Sequence, residues 1–333
     1  MKMNTKKIAF AVATIALCTL PLAAQEKQTP PAGGPPKPFN VPAHESYALP
    51  NGMKVTLVPY GNLPKVTLSV VVRSGNLNDP TDMPGLADIA GKLMKEGTAS
   101  RSSRQIAEEA AGMGGAVNIT VGADESDATT DVLSEFGPKA AALLADVVEH
   151  PLFPDSELPR LKNDAQRQLT ISKSLPQSMA LEKFRKILYG DHPYAAVFPT
   201  QESIEKTTVA DIKKFYEGNF GATRAHLYVA GRFDTAEMKK AIAASFGGWT
   251  KGPAAVTNVP KVKPQHVVDL TDRPGAAQST LLVGMPVPDA TSPDAIPLGV
   301  TNALLGGSFG SRITSNIREQ KGYTYSPSSQ ISR

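Results

Sequence analysis

Few residues in this sequence have the types and spacing that chemistry needs. The five histidines (His44, His150, His192, His226, His266) stand singly, with no partner placed to aim two imidazoles at one metal ion. Gly306-Gly307-Ser308-Phe309-Gly310 fits Gly-x-Ser-x-Gly, the turn that presents a nucleophilic serine. That turn needs a strand before it and an acid and a histidine after it. Leu298–Leu305 reads as helix and no Asp or His follows Ser308, so a serine hydrolase is set aside. Asp88 and Lys92, opposite charges at i, i+4, fit a helix ion pair worth about 0.3–0.5 kcal/mol if exposed. On spacing alone, Arg318 and Tyr325 are a solvated helix arginine and a tyrosine packed in a following strand.

These residues need elements to position them. Tyr47–Val58 predicts a hairpin, with Asn51-Gly52 favouring a type I′ turn. Val66–Val72 is β-branched with little alternation, which predicts a strand buried on both faces. Leu86, Ile89, Ala90, Leu93 and Met94 recur at helical spacing until Gly97, and Ser102-Ser103 cap a second helix reaching about Gly112. Val117–Val121 and Thr129–Leu133 read as paired strands. Helices follow near Pro138–His150, Asp155–Ser174, Met179–Tyr189, Val209–Glu217 and Ala236–Phe246, with a strand at Leu227–Gly231. Strands and helices mix without regular βαβ alternation, so the class is α+β.

The pattern restarts late in the chain. Ser279–Gly284 repeats Leu68–Arg73, Leu298–Leu305 repeats the Leu86–Met94 helix, and Ile313–Gln320 repeats Ser103–Ala111. A constant offset of roughly 210 residues argues for a duplicated domain whose second copy is truncated. The expected divisions are a signal peptide over 1–24, a Pro-rich linker over 25–44 and a first domain over 45–252. A linker over 253–264 and an incomplete second domain over 265–333 complete them. Such a fragment is expected to expose a sheet edge in its second domain and to aggregate.

Charge and cysteine follow from the first segment. Lys2, Lys6 and Lys7 precede the apolar run Ile8–Leu20, and Pro21-Leu22-Ala23-Ala24 offers a cleavage site before Gln25. This is the layout of a secretory signal cleaved after about Ala24, giving a periplasmic or secreted protein with no stable membrane span. A lipid anchor on Cys18 is the rival, opposed by bulky Leu17. Cleavage removes the sole cysteine, and with it thiol nucleophiles and disulfides. It also removes most of the net charge of +4, so nucleic acid is a poor partner.

One family shares these marks. Tyr47–Leu57, Gly85-Leu86-Ala87 with Gly97-Thr98, Pro151-Leu152-Phe153-Pro154, Pro199-Thr200-Gln201-Glu202, Gly306-Gly307, and Arg318-Glu319 leading into Gly322-Tyr323-Thr324-Tyr325-Ser326 resemble the M16 (insulinase or pitrilysin) peptidases. The resemblance implies paired, processing-peptidase-like α/β rolls around a closed peptide chamber. Active members carry His-x-x-Glu-His on the helix after Gly-Leu-Ala, two zinc ligands flanking the base that activates water. Here the matching positions are Asp88, Gly91 and Lys92, and a third-ligand glutamate matches near Gln168. No catalytic zinc is therefore expected in this chain. The family's substrate-contacting Arg and Tyr match Arg318 and Tyr325, and a guanidinium and a phenol both suit an oxyanion. Gly306 and Gly307 resemble a substrate-facing glycine-rich loop, and Asn118 an edge strand that pairs with peptide, although a turn asparagine is an equal reading. The implied role is an accessory subunit to a zinc-bearing M16 partner that holds the Zn²⁺ and cleaves peptides. A non-enzymatic peptide-binding scaffold is the alternative.

Overall fold

The computed structural model describes residues 34–35 and 40–332. Residues 1–24, expected as a secretory signal, with Cys18 and most of the Pro-rich stretch, lie outside the described residues. The chain separates into Met1–Val41 and Pro42–Arg333, and the regular elements among the described residues belong to the second unit. Among the described residues, no helix is long and apolar enough to cross a membrane.

Six strands form one sheet: β1 (Glu45–Ala48), β2 (Lys54–Pro59), β3 (Lys65–Val72), β4 (Val117–Val121), β5 (Ser126–Leu133) and β6 (Ala225–Gly231). Their order is β1-β2-β6-β3-β5-β4, with β2–β6 parallel and every other pair antiparallel. Nine α-helices accompany them among the described residues: α1 (Leu86–Met94), α2 (Ser103–Gly112), α3 (Gly137–Glu149), α4 (Leu158–Ser174), α5 (Pro176–Tyr189), α6 (Gln201–Lys206), α7 (Val209–Asn219), α8 (Thr235–Phe246) and α9 (Ala295–Asn302). The mixed α+β class holds.

The core lies on one face of the sheet. Val55, Leu57, Leu68, Val70, Leu227 and Val229 are fully buried there with Leu93, Leu143, Leu144, Ile212 and Phe246 of the helices. The expectation for β3 is corrected. Its residues alternate between buried and half-buried, because no second layer covers the other face among the described residues. That open face is polar. Ser69 Oγ donates to Asp127 Oδ1 at 2.7 Å, Thr67 Oγ1 donates to Asp131 Oδ1 at 3.2 Å, and Thr56 Oγ1 meets His226 Nε2 at 2.9 Å.

The first hairpin forms, but not with a type I′ turn. Gly52 N–H donates to Leu49 O at 2.9 Å, so Pro50 and Asn51 fill the turn and Gly52 follows at φ +94°. Proline presets the first central position and so selects this wider loop, with glycine left-handed behind it. Asn51 is then buried and tied to the end of α8. Its Nδ2 donates to Phe246 O (2.8 Å) and Trp249 O (3.1 Å), and its Oδ1 accepts from Met53 N (3.2 Å). Asn51→Ala strands these groups away from water and should cost roughly 2–4 kcal/mol. The denaturation midpoint measures it; an unchanged midpoint would mean that water replaces the amide freely.

Glu149 closes α3 in a less comfortable setting. Burial pushes its carboxyl up to about 8, Asp146 adds repulsion, and Oε1 has no partner among the described residues. Unfolded glutamate titrates near about 4.3. The folded state therefore holds a proton that the unfolded state has released. The resulting stability is full below the unfolded value and is lost as pH rises through about 8. Glu149→Gln should melt above wild type by a margin that widens from pH 5 to pH 8. A margin independent of pH would count against this origin.

Beyond Trp249 the expected second sheet is absent among the described residues. Ser279–Gly284 forms no strand and joins no sheet among the described residues. The predicted exposed sheet edge is thus replaced by exposed apolar side chains, among them Val268, Leu270, Leu281 and Val283. The stretch lies along α5, where Lys183 Nζ pairs with Asp269 Oδ1 at 2.8 Å and Gly284 sits against the Phe184 ring. The α9 helix and the Thr314–Gln320 segment do form, the latter and Ala303–Gly307 as wider π-helical turns.

Candidate functional site

Helix α1 carries the positions that matter for metal. It starts at Gly85, which has no side chain to cap it. Asp79 caps it from the preceding loop: Oδ2 accepts from Gly85 N at 2.7 Å and Oδ1 from Ala87 N at 2.8 Å. Burial raises the Asp79 carboxyl to about 6 against these donors, and Asp88 adds to the rise.

Asp88 faces this loop. Asn76 Nδ2 donates to Asp88 Oδ2 at 2.7 Å, and burial raises the Asp88 carboxyl too. The expected Asp88–Lys92 ion pair does not close. Lys92 is exposed, and no ion pair joins the two among the described residues. Asn76 competes better because its amide reaches a half-buried carboxylate that a solvated ammonium does not. Gly91 is buried against the edge strand, where a Cβ would come within 2.6 Å of Val121 Cγ2. Gln168, on the exposed side of α4, reaches only Ser172 Oγ at 3.4 Å. One hydrogen-bonded carboxylate, a missing side chain, a cation and a neutral amide do not suit a zinc ion. No group of three His, Cys, Asp or Glu able to hold a metal occurs among the described residues.

Asn118 lies exposed as the second residue of β4, opposite Thr129. Among the described residues strand β4 pairs only with β5, which leaves its outer edge free.

A second cluster forms late in the chain. The Arg318 guanidinium carbon lies 4.2 Å from the Tyr325 ring centroid and 4.7 Å from that of Phe309. The sequence-matched pair is therefore in contact. Phe309 is an addition that sequence reasoning passed over; an aromatic inside a glycine-rich loop was the available signal. Gly306 and Gly307 serve a local purpose: a Cβ on Gly306 would lie 2.6 Å from Ser329 N, and one on Gly307 2.8 Å from Asn302 Nδ2. Their bareness lets Ser329 N–H donate to Gly306 O at 3.1 Å, holding the chain after Tyr325 against the end of α9. Arg312, Ile313, Asn316 and Gln320 help line an open groove of ≈ 520 Å³ on the same segment. No hydrogen bond, ion pair or ring contact joins this cluster to Asp88, Gly91, Lys92, Gln168 or Asn118 among the described residues.

Two family models match in tandem. Insulinase (Peptidase family M16) covers residues 55–198 and Peptidase M16 inactive domain covers 206–333. The chain belongs to the M16 peptidase family. Its relatives include "Uncharacterized zinc protease YmxG" of Bacillus subtilis (strain 168), 25% identical over 282 residues, covering 84% of this chain and 68% of that protein. An "Uncharacterized zinc protease" of Rickettsia bellii (strain RML369-C) is 26% identical over 281 residues, covering 83% and 67%. Among solved structures, a peptidase M16 inactive domain from Pseudomonas fluorescens superposes with TM-score 0.74 at 26% identity, covering 85% of this chain and 69% of that one. A Helicobacter pylori protease shares the fold at TM-score 0.70 and 18% identity, covering 85% and 70%. This M16 chain thus spans about two thirds of the length of the relatives it matches.

Proposed function

We propose that this chain is an exported accessory subunit that works with a zinc-bearing M16 partner to hydrolyse peptides. Its own share is Arg318, Tyr325 and half of the chamber, with 45–252 as one domain and 265–333 as the start of a second. The carrying observation is the contrast between two sets of residues. The positions matching the zinc motif together make a set that does not suit zinc, while Arg318 and Tyr325 touch each other. A guanidinium held against a phenol ring can hold a peptide carbonyl and donate to the oxyanion that develops there. The free edge of β4, which carries Asn118, offers main-chain pairing to an extended peptide.

The test mixes the full chain with an M16 protein bearing His-x-x-Glu-His and follows cleavage of a quenched fluorescent peptide library. Activity of the mixture above that of either protein alone supports the reading. No gain with any such partner would leave the non-enzymatic scaffold as the role.

A further inference from the structure

Arg318 is held on several sides and left open on one. Two rings lie against its guanidinium and Glu319 Oε1 sits 3.1 Å from Nε, yet neither Nη nitrogen has a hydrogen bond or ion pair among the described residues. The arginine side chain is 24% exposed, whereas Phe309 and Tyr325 are 72% and 77% exposed. Rings this open to water, placed against a shielded cation, cover the guanidinium rather than fill a core. What remains is a fixed fork of N–H donors, whose natural complement is the two oxygens of one carboxylate. Arg312 and Lys321 on the same segment outnumber Glu319, so the local field favours an anion.

We infer that Phe309 and Tyr325 clamp Arg318 as a carboxylate-binding site, which selects peptides carrying an acidic side chain or a free C-terminal carboxylate. The inference deepens the proposed role of this surface and rests on its facing peptide. Phe309 is a positioning residue, acting through the arginine.

The experiment measures fluorescence anisotropy of labelled hexapeptides on the full chain alone, without partner or zinc. One peptide carries Asp with an amidated C-terminus, one carries Asn with a free C-terminus, and one carries Asn with an amidated C-terminus. At least one of the first two should bind roughly tenfold tighter than the third, with the difference fading at high salt. Which of the two binds tells side chain from terminus. Phe309→Ala should erase most of that preference and Phe309→Tyr should keep it, with unchanged far-UV circular dichroism in both. Equal affinity for all three peptides, or a preference untouched by Phe309→Ala, overturns the inference. Because binding is read on one chain, that failure is separable from a failure to support cleavage with a partner.

Discussion

Arg318→Ala lowers the peptide-cleavage rate of the reconstituted pair by roughly a hundredfold, the scale of removing one preorganised donor from a developing oxyanion. The fall should be larger in kcat than in KM, because charge on the carbonyl oxygen grows only toward the transition state. Tyr325→Phe separates the two contributions of the tyrosine. It keeps a ring 4.2 Å from the guanidinium and deletes only the hydroxyl. A smaller loss than for Arg318→Ala, again in kcat, is the expected result. Arg318→Lys retains the charge but not the planar fork, and should recover little. Steady-state kinetics on one peptide, at saturating partner, decide among these. Full activity in Arg318→Ala would end the idea that this chain completes a site in trans.

The second large effect concerns stability. Restoring a glutamate at position 91 should destabilise the domain by roughly 2–4 kcal/mol, although glycine is the poorer helix former by about 1 kcal/mol. The reason is the 2.6 Å approach of a Cβ at Gly91 to Val121 Cγ2, with Ile119 Cγ2 at 3.5 Å behind it. Val121 is β-branched and sits on a strand, so it has little freedom to retreat. Gly91→Glu pairs a steric clash with a buried charge, and Val121→Ala should recover the steric part. A double-mutant cycle by chemical denaturation reads that coupling directly. Additive energies would show that α1 simply lifts from β4. The packing bears on ancestry as well as stability: with α1 seated this closely, returning the motif residues alone does not rebuild a metal site.

Much of this molecule is legible from local patterning, and the exceptions share a cause. The Leu86–Met94 periodicity and the Ser102 cap both appear as read, and Gln105 completes a capping box with Ser102. Such features depend on residues within one or two turns of each other. The Pro50–Asn51 turn departs from the Asn-Gly expectation because Pro50 presets the turn one residue earlier, and carbonyls at Phe246 and Trp249, far along the chain, hold Asn51 there. Asp79 as the cap of α1, Asn76 as the partner of Asp88, and Val121 as the wall behind Gly91 also come from outside the helix. Ser279–Gly284 fails in the opposite sense. Its composition suits a strand, but a strand exists only where a neighbour accepts its hydrogen bonds. Arg318 and Tyr325 were legible as a pair through the family pattern, whereas Phe309 required the loop to be folded over them.

The single parallel pairing in the sheet sets an order in time. Strand β6 lies between β2 and β3, joining Lys54 to His226 and Val72 to Ala225. Before β6 exists, the hairpin β1–β2 and the ribbon β3-β5-β4 are unconnected pieces, each with one apolar face and no shared centre. A ribosome must therefore deliver Gly231 before the sheet can close. Loop closure over so long a stretch is slow to nucleate and comes late. Until Gly231 has emerged, the two parts of the sheet stay apart and the polypeptide remains open.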